Sequence, residues 1–200
     1  IKEGDIYVYD MFNLYKYENM LYTMKLSGKE VHDALEMSYD LWTNRMTSPD
    51  DHILLLRDQP REGAADRAAF KNFSFNFDSA AGIIYTVDVT KPCGSKVTIL
   101  SMADGTPFQM DKMYTVALNS YRGNGGGELL TKGAGISQDE LKERIISSTD
   151  KDLRYYLMQY IEQKKVIEPR ALGQWKFIPE EWAVPASKRD YEFLFGTNRN

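Results

Sequence analysis

The sequence has a single cysteine, Cys93, so no internal disulfide can form and cysteine usage says almost nothing about the redox compartment. Cys93 sits in the turn-like run KPCGS and reads as a structural residue. Histidine is almost as scarce: His32 and His52 are the only two, and neither lies in a metal-ligand motif. Basic residues do not form a stripe. With 25 Lys and Arg against 29 Asp and Glu, a net charge of −4 and a pI near 5.3, a nucleic-acid surface is not expected. No window approaches the length and apolarity of a membrane span, and no charged segment followed by an apolar run resembles a secretory signal. The chain opens on Ile1 rather than methionine, so a processed or truncated chain is expected, from which a signal or an upstream domain has been lost. No P-loop ending G-K-[ST], no G-x-S-x-G nucleophile elbow, no internal repeat and no low-complexity tract occurs.

What is present suits one domain with a sizeable core: 200 residues, 42% of them hydrophobic and 12% aromatic. The apolar run Asn19–Leu26 reads as a strand, followed at once by a helix opened by a capping box of Ser27 and Glu30. Val31, Ala34, Leu35, Ser38 and Trp42 give that helix one buried face. From about Thr47 to Asn72, charge, proline and glycine surround the short apolar run Ile53–Leu56, as in a long excursion or insertion. Alternation in GIIYTVDVT, then the turn KPCGS leading into a further strand, KVTILSM, predicts an antiparallel hairpin. A further strand, Met113–Leu118, runs into a glycine-rich loop. A second capping box, Ser137 with Glu140, predicts a short helix around Leu141 and Ile145, and helical spacing continues from Leu153 to Lys164. Trp175–Phe177 adds a strand. The expected fold class is therefore α+β, a mixed β-sheet packed with helices. The principal domain is placed at residues 1–178, with 179–200 as a C-terminal tail or extension.

The most informative stretch is Leu118–Leu129, LNSYRGNGGGEL, directly after a strand. Its glycines let the backbone take positive φ and let a ligand approach the main chain. A dinucleotide fingerprint would open a helix here, whereas ELLTKGAG is poor helix material. Asn119, Ser120, Tyr121, Arg122 and Asn124 flank the glycines: a ring on which a base can stack, amides that match donor and acceptor edges, and a guanidinium that pairs with phosphate or carboxylate.

Three ordered stretches carry a resemblance. YTVALNSYRGNGGGELL resembles the strand and N-x-[FY]-x-x-x-G-G loop of 5′-nucleotidase C-terminal domains. GDIYVYDMFNLYKYENMLYTMKLSGKEVHDALE is similar to the segment of that family that ends in L-x-G-x-x-[LIV]-x-x-x-[LF]-E, and GIIYTVDVTKPCGSKVTIL resembles its G-[LI]-x-[FY]-x-x-D hairpin. The form NSYRGNGGG looks closest to the bacterial 2′,3′-cyclic-nucleotide 2′-phosphodiesterase/3′-nucleotidase branch.

The resemblance implies that the nucleobase is held between two aromatic rings, which fall on Tyr17 and Tyr121, with Asn119, Arg122, Asn124, Gly125 and Gly126 completing the substrate-binding set. Many members carry an aspartate immediately after two glycines, where this chain has Gly127 and then Glu128. The resemblance also implies that catalysis belongs to an N-terminal metallophosphoesterase domain with two divalent metal ions. No catalytic or metal-binding residue is assigned to this chain, which is expected to be inactive alone. The implied partners are that domain and a nucleoside or nucleotide, and the implied location is periplasmic, cell-surface or secreted. Two other classes stay open: from the residues, a sugar-binding module, because Trp42, Trp175, Trp182 and 13 tyrosines offer stacking platforms, and, as the resemblance implies, a structural or dimerisation domain. His32 is expected as an ordinary surface residue on its helix, and His52 as part of the excursion.

Overall fold

The computed structural model describes Ile1, residues 3–57 and residues 70–196, in an α+β arrangement that divides into two compact units. The first comprises Ile1–Ser27 and Lys112–Ala171, the second Gly28–Asp111 and the chain from Leu172. Each has its own three-stranded sheet.

In the first unit, helix α1 (Val8–Leu14) buries Met11 and precedes strand β1 (Met20–Ser27). β1 is central, flanked by β4 (Met113–Asn119) and β5 (Ile145–Asp152) in an all-antiparallel sheet of order β4-β1-β5. β1 follows the predicted apolar run and β4 the predicted third strand, with Leu21 opposite Asn119 and Leu26 opposite Tyr114. β5 is a strand that the sequence pattern did not announce. IISSTDKD pairs with β1 through two register shifts, and at one of them the Thr149 hydroxyl accepts the Leu21 amide at 3.0 Å. The polar side chains thus satisfy part of the ladder themselves, and no period-two apolar alternation is required. The short helix before it, α4 (Gln138–Glu143), carries the expected capping box: the Ser137 hydroxyl accepts the Glu140 amide, and the Glu140 carboxylate accepts from Ser137. α4 is shorter than expected, because Ile145 already belongs to β5. Helix α5 (Leu153–Lys164) starts at an Asp152 N-cap, whose side chain accepts the Tyr155 amide at 2.9 Å.

The second unit begins with helix α2 (Gly28–Trp42) and contains the predicted hairpin of β2 (Ile83–Asp88) and β3 (Val97–Met102). Strand β6 (Trp175–Ile178) joins β2 in parallel, which makes this sheet mixed, in the order β3-β2-β6. Tyr39, Leu35, Ile83, Tyr85, Val87 and Val97 form its core, with Trp175 and Phe177 packed against them. Each such side chain withdrawn from water contributes about 1.5–3 kcal/mol. Two polar groups are built into this core with partners. The Tyr39 and Tyr85 hydroxyls share a 2.9 Å hydrogen bond, and burial pushes the Tyr39 hydroxyl far above its ordinary range, so it stays neutral. Buried Glu36 accepts the amides of Gly94 and Val97 at 2.7 and 2.6 Å, tying α2 to the hairpin turn. His32 departs from the surface residue expected: 17% of its side chain is exposed, with Nδ1 2.9 Å from Asp33 and Nε2 3.1 Å from the Val97 carbonyl.

The expected excursion covers residues 47–72, of which 58–69 lie outside the described residues. The described part is anchored by Met46 and Ile53, buried with Val89, Ala183 and Ala186. The residues after Pro179, expected as a tail or extension, form helix α6 (Glu180–Phe195), which buries Ala183, Ala186, Asp190 and Leu194. Asp190 accepts the Leu54 amide at 2.9 Å and meets His52 Nδ1 at 2.5 Å, so His52 ties the excursion to this helix.

Asp51 organises the start of the excursion. One of its oxygens accepts from Thr47 N, Thr47 Oγ1 and Ser48 N at 2.7, 3.0 and 3.0 Å. The Thr47 backbone bond is the largest influence and holds the carboxyl below its ordinary 3.8. The unfolded chain then binds the proton more readily, so this contribution to stability is present above 3.8 and is lost as pH falls through the folded-state value. Thermal melts between about pH 5 and about pH 2 are expected to show Tm falling with acid, and Asp51→Asn to flatten that fall. An unchanged slope in the variant would exclude this account of Asp51.

Candidate nucleoside-binding site

The candidate site residues gather at one end of the first unit's sheet. β1 and β4 run antiparallel with Leu21 opposite Asn119, so the segment entering β1 lies beside the segment leaving β4. Ser120 fastens the two, its hydroxyl accepting the Met20 amide at 3.0 Å. Tyr17 precedes β1 in the irregular stretch Tyr15–Asn19, and Tyr121 follows β4. Sheet register therefore brings to one end two tyrosines that are 104 positions apart in sequence. Both rings are partly open to solvent: Tyr17 is 44% exposed and Tyr121 40%. Lys16 Nζ lies 5.1 Å from the centroid of the Tyr17 ring, and Tyr15 meets that ring edge-on at 6.4 Å.

The glycine loop explains how Tyr121 is held. Asn119 is the N-cap of a single helical turn, α3 (Ser120–Gly123), its Oδ1 accepting the Arg122 amide at 2.8 Å. Arg122, only 4% exposed, donates from Nη1 to the Gly126 carbonyl at 2.6 Å and passes 5.5 Å from the Tyr121 ring centre. Gly126 lies against one side of that ring. A Cβ there would come within 2.5–2.6 Å of ring atoms Cδ2, Cε2 and Cζ, closer than any real Cβ sits. Gly125 and Gly127 take φ of 88° and 69°, and Glu128 follows at 62°. Asn124 is exposed, and its carbonyl accepts Gln138 Nε2 at 2.9 Å. ELLTKGAG, which the sequence marks as poor helix material, makes a 3₁₀ turn at Gly126–Glu128 and a π-type turn at Leu129–Gly133.

Every sequence-predicted site residue thus falls in this unit, at or near the same end of its sheet. Their placements differ in kind. Tyr17, Tyr121 and Asn124 are exposed, whereas Arg122 is turned under the loop and Asn119 is spent on the cap. Two neighbours escaped the sequence reading. Asn19 donates from Nδ2 to the Tyr15 hydroxyl at 2.8 Å, and Arg154 on α5 reaches the carbonyls beside Tyr17. The tryptophans considered as sugar platforms are used in packing in the second unit: Trp42 on Phe70 and Phe77, Trp175 on Tyr85 and Phe177, and Trp182 against the Met46 cluster.

Among the described residues, no group of three or more His, Cys, Asp or Glu side chains is placed to hold a metal ion. Both histidines lie beside carboxylates, His32 beside Asp33 and His52 beside Asp190. Among the described residues, no helix is long and apolar enough to cross a membrane.

Residues 1–132 match the family described as 5′-nucleotidase, C-terminal domain. The chain is 30% identical over 194 residues to the trifunctional nucleotide phosphoesterase protein YfkN of Bacillus subtilis, covering 90% of this chain and 12% of that protein. It is 27% identical to a 2′,3′-cyclic-nucleotide 2′-phosphodiesterase/3′-nucleotidase of Salmonella typhimurium, covering 90% of this chain and 27% of that one. In fold it is similar to a 5′-nucleotidase precursor from Thermus thermophilus, with a TM-score of 0.62, 22% identity and coverage of 90% of this chain and 29% of that chain. The NAD nucleotidase of Haemophilus influenzae is also similar, with a TM-score of 0.55, 19% identity and coverage of 87% and 26%. The chain therefore spans only a small part of the length of each of these relatives.

Proposed function

The chain belongs to the family of 5′-nucleotidase C-terminal domains, and from that premise we propose that it holds the nucleoside of a nucleotide substrate, with the base between Tyr17 and Tyr121. The observation that carries the reading is the convergence of two partly exposed tyrosines at one sheet end, one of them backed by a glycine that leaves no room for a side chain. Stacking on two rings tolerates any base, because every base has a π-face, and is worth roughly 1–3 kcal/mol per contact. Affinity without strict base choice follows. Exposed Asn124 supplies an amide for the base or sugar edge. Arg122, buried under the loop, shapes the tyrosine platform instead of meeting phosphate.

Bond breaking belongs to a metal-bearing phosphoesterase domain outside these residues, which fits the much greater length of the relatives. The full-length protein is then a nucleotidase or cyclic-nucleotide phosphodiesterase, acting outside the cytoplasm. Two measurements test the reading. Calorimetric titration of this chain is expected to show binding of adenosine and none of a methyl glucoside. Incubation with AMP or 2′,3′-cyclic AMP, with manganese or zinc added, is expected to release no product. Turnover that copurifies with the chain, or binding of the glucoside in preference to adenosine, would contradict it.

A further inference from the structure

Tyr17 stands in a stretch with no regular structure, and a base platform must nevertheless be held still. The Tyr15–Asn19 segment lies between the end of α1 and the start of β1, and its own ladder bonds begin only at Met20. Besides the Tyr15 amide bond to Met11 and the Asn19 bond to the Tyr15 hydroxyl, what holds it comes from the start of α5. Leu153 N donates to the Asn19 carbonyl at 2.9 Å. Arg154, 6% exposed, donates from Nη1 to the carbonyls of Lys16 and Tyr15 at 2.9 and 3.5 Å, and from Nη2 to Glu18 at 3.2 Å. The carbonyl of Lys16 and the carboxylate of Glu18 lie on either side of Tyr17 in sequence, so one guanidinium brackets that residue.

Arg154 is itself fixed. Asp152, the N-cap of α5, accepts from its Nη2 at 2.9 Å, and the Phe12 ring lies 4.5 Å from its Cζ. The pattern uses the planar fork of arginine: one terminal nitrogen reaches main-chain oxygens while the other meets two carboxylates, which a lysine ammonium cannot reproduce. Desolvating a guanidinium is costly unless it is matched by such bonds. Asp152 balances the charge, and further N–H groups of the guanidinium find their acceptors at Lys16 and Glu18, on the segment that carries Tyr17.

We propose that Arg154 is a positioning residue for nucleoside binding: it sets the Tyr15–Glu18 backbone so that the Tyr17 ring is presented to the base. This rests on Tyr17 being a base platform, and the experiment separates the two ideas. Adenosine affinity is measured by calorimetry for the unaltered chain, Tyr17→Ala, Arg154→Met and the double variant, with circular dichroism and thermal melts on each. Tyr17→Ala and Arg154→Met are each expected to weaken binding about tenfold, and the double variant to be no weaker than Tyr17→Ala. Arg154→Lys, which retains the charge and loses the fork, is expected to fall between Arg154→Met and the unaltered chain, and serves if the methionine variant does not fold. Losses that multiply in the double variant, or full affinity in Arg154→Met with Tyr17→Ala impaired, overturn the positioning role and leave the platform standing. Full affinity in Tyr17→Ala overturns the platform and the positioning role together.

Discussion

Replacing Tyr17 and Tyr121 together by alanine is expected to bring adenosine binding by this chain below calorimetric detection, with the fold unchanged. Each ring supplies roughly 1–3 kcal/mol of stacking, so each single variant loses roughly 5- to 150-fold in affinity and the pair loses the product if the base touches both. Stability is expected to move little, within about 0.5 kcal/mol, because both rings are partly exposed. Tyr17→Phe and Tyr121→Phe keep the π-face and are expected to keep most of the affinity. Equal affinity in the alanine pair and the unaltered chain would exclude the stacked site.

The second large effect is expected on stability. Gly28 opens α2, and a Cβ there would be driven into the Gln109 carbonyl oxygen and would come within 2.8 Å of Met110 Cα. Lys29 N donates to the Met110 carbonyl at 2.7 Å, so that backbone cannot retreat without losing a bond. Both obstacles are main chain, which no rotamer change relieves. Gly28→Ala is therefore expected to destabilise the protein by about 2–3 kcal/mol in urea unfolding, despite the better helix propensity of alanine. A variant as stable as the parent would show that the backbone at 109–110 gives way freely. The glycine of the L-x-G-x-x-[LIV] stretch thus has a physical reason that lies far from it in sequence.

That case marks where the sequence was legible and where it was not. Local rules carried most of the elements. Alternation announced β2, the KPCGS turn placed β3 after it, the Ser137 and Glu140 pair announced α4, and apolar spacing announced α2 and α5. The candidate site could be proposed from sequence because a tyrosine, an asparagine and four glycines stand within a few positions of one another. What escaped depends on partners distant in the chain. β5 has polar residues because β1 pairs with it through shifted register and a threonine hydroxyl, which no periodicity reveals. His32 is held by Val97 and Arg154 by Lys16, contacts that span 65 and 138 positions. Arg122 stands in a polar run that reads as ligand-facing, whereas its guanidinium is buried on the Gly126 carbonyl four positions on. The separation into two units is equally non-local, because strands adjacent in sequence, β3 and β4, join different sheets.

Nucleoside lying against Tyr17 and Tyr121 is reported directly by the ring signals of the tyrosines. With all 13 tyrosines carrying ¹³C-labelled rings, adenosine is added and the spectra are assigned through Tyr17→Phe and Tyr121→Phe. The prediction is saturable upfield ring-current shifts at Tyr17 and Tyr121, larger than at any other tyrosine. Shifts centred on other tyrosines, or none at these two under saturating adenosine, would contradict it.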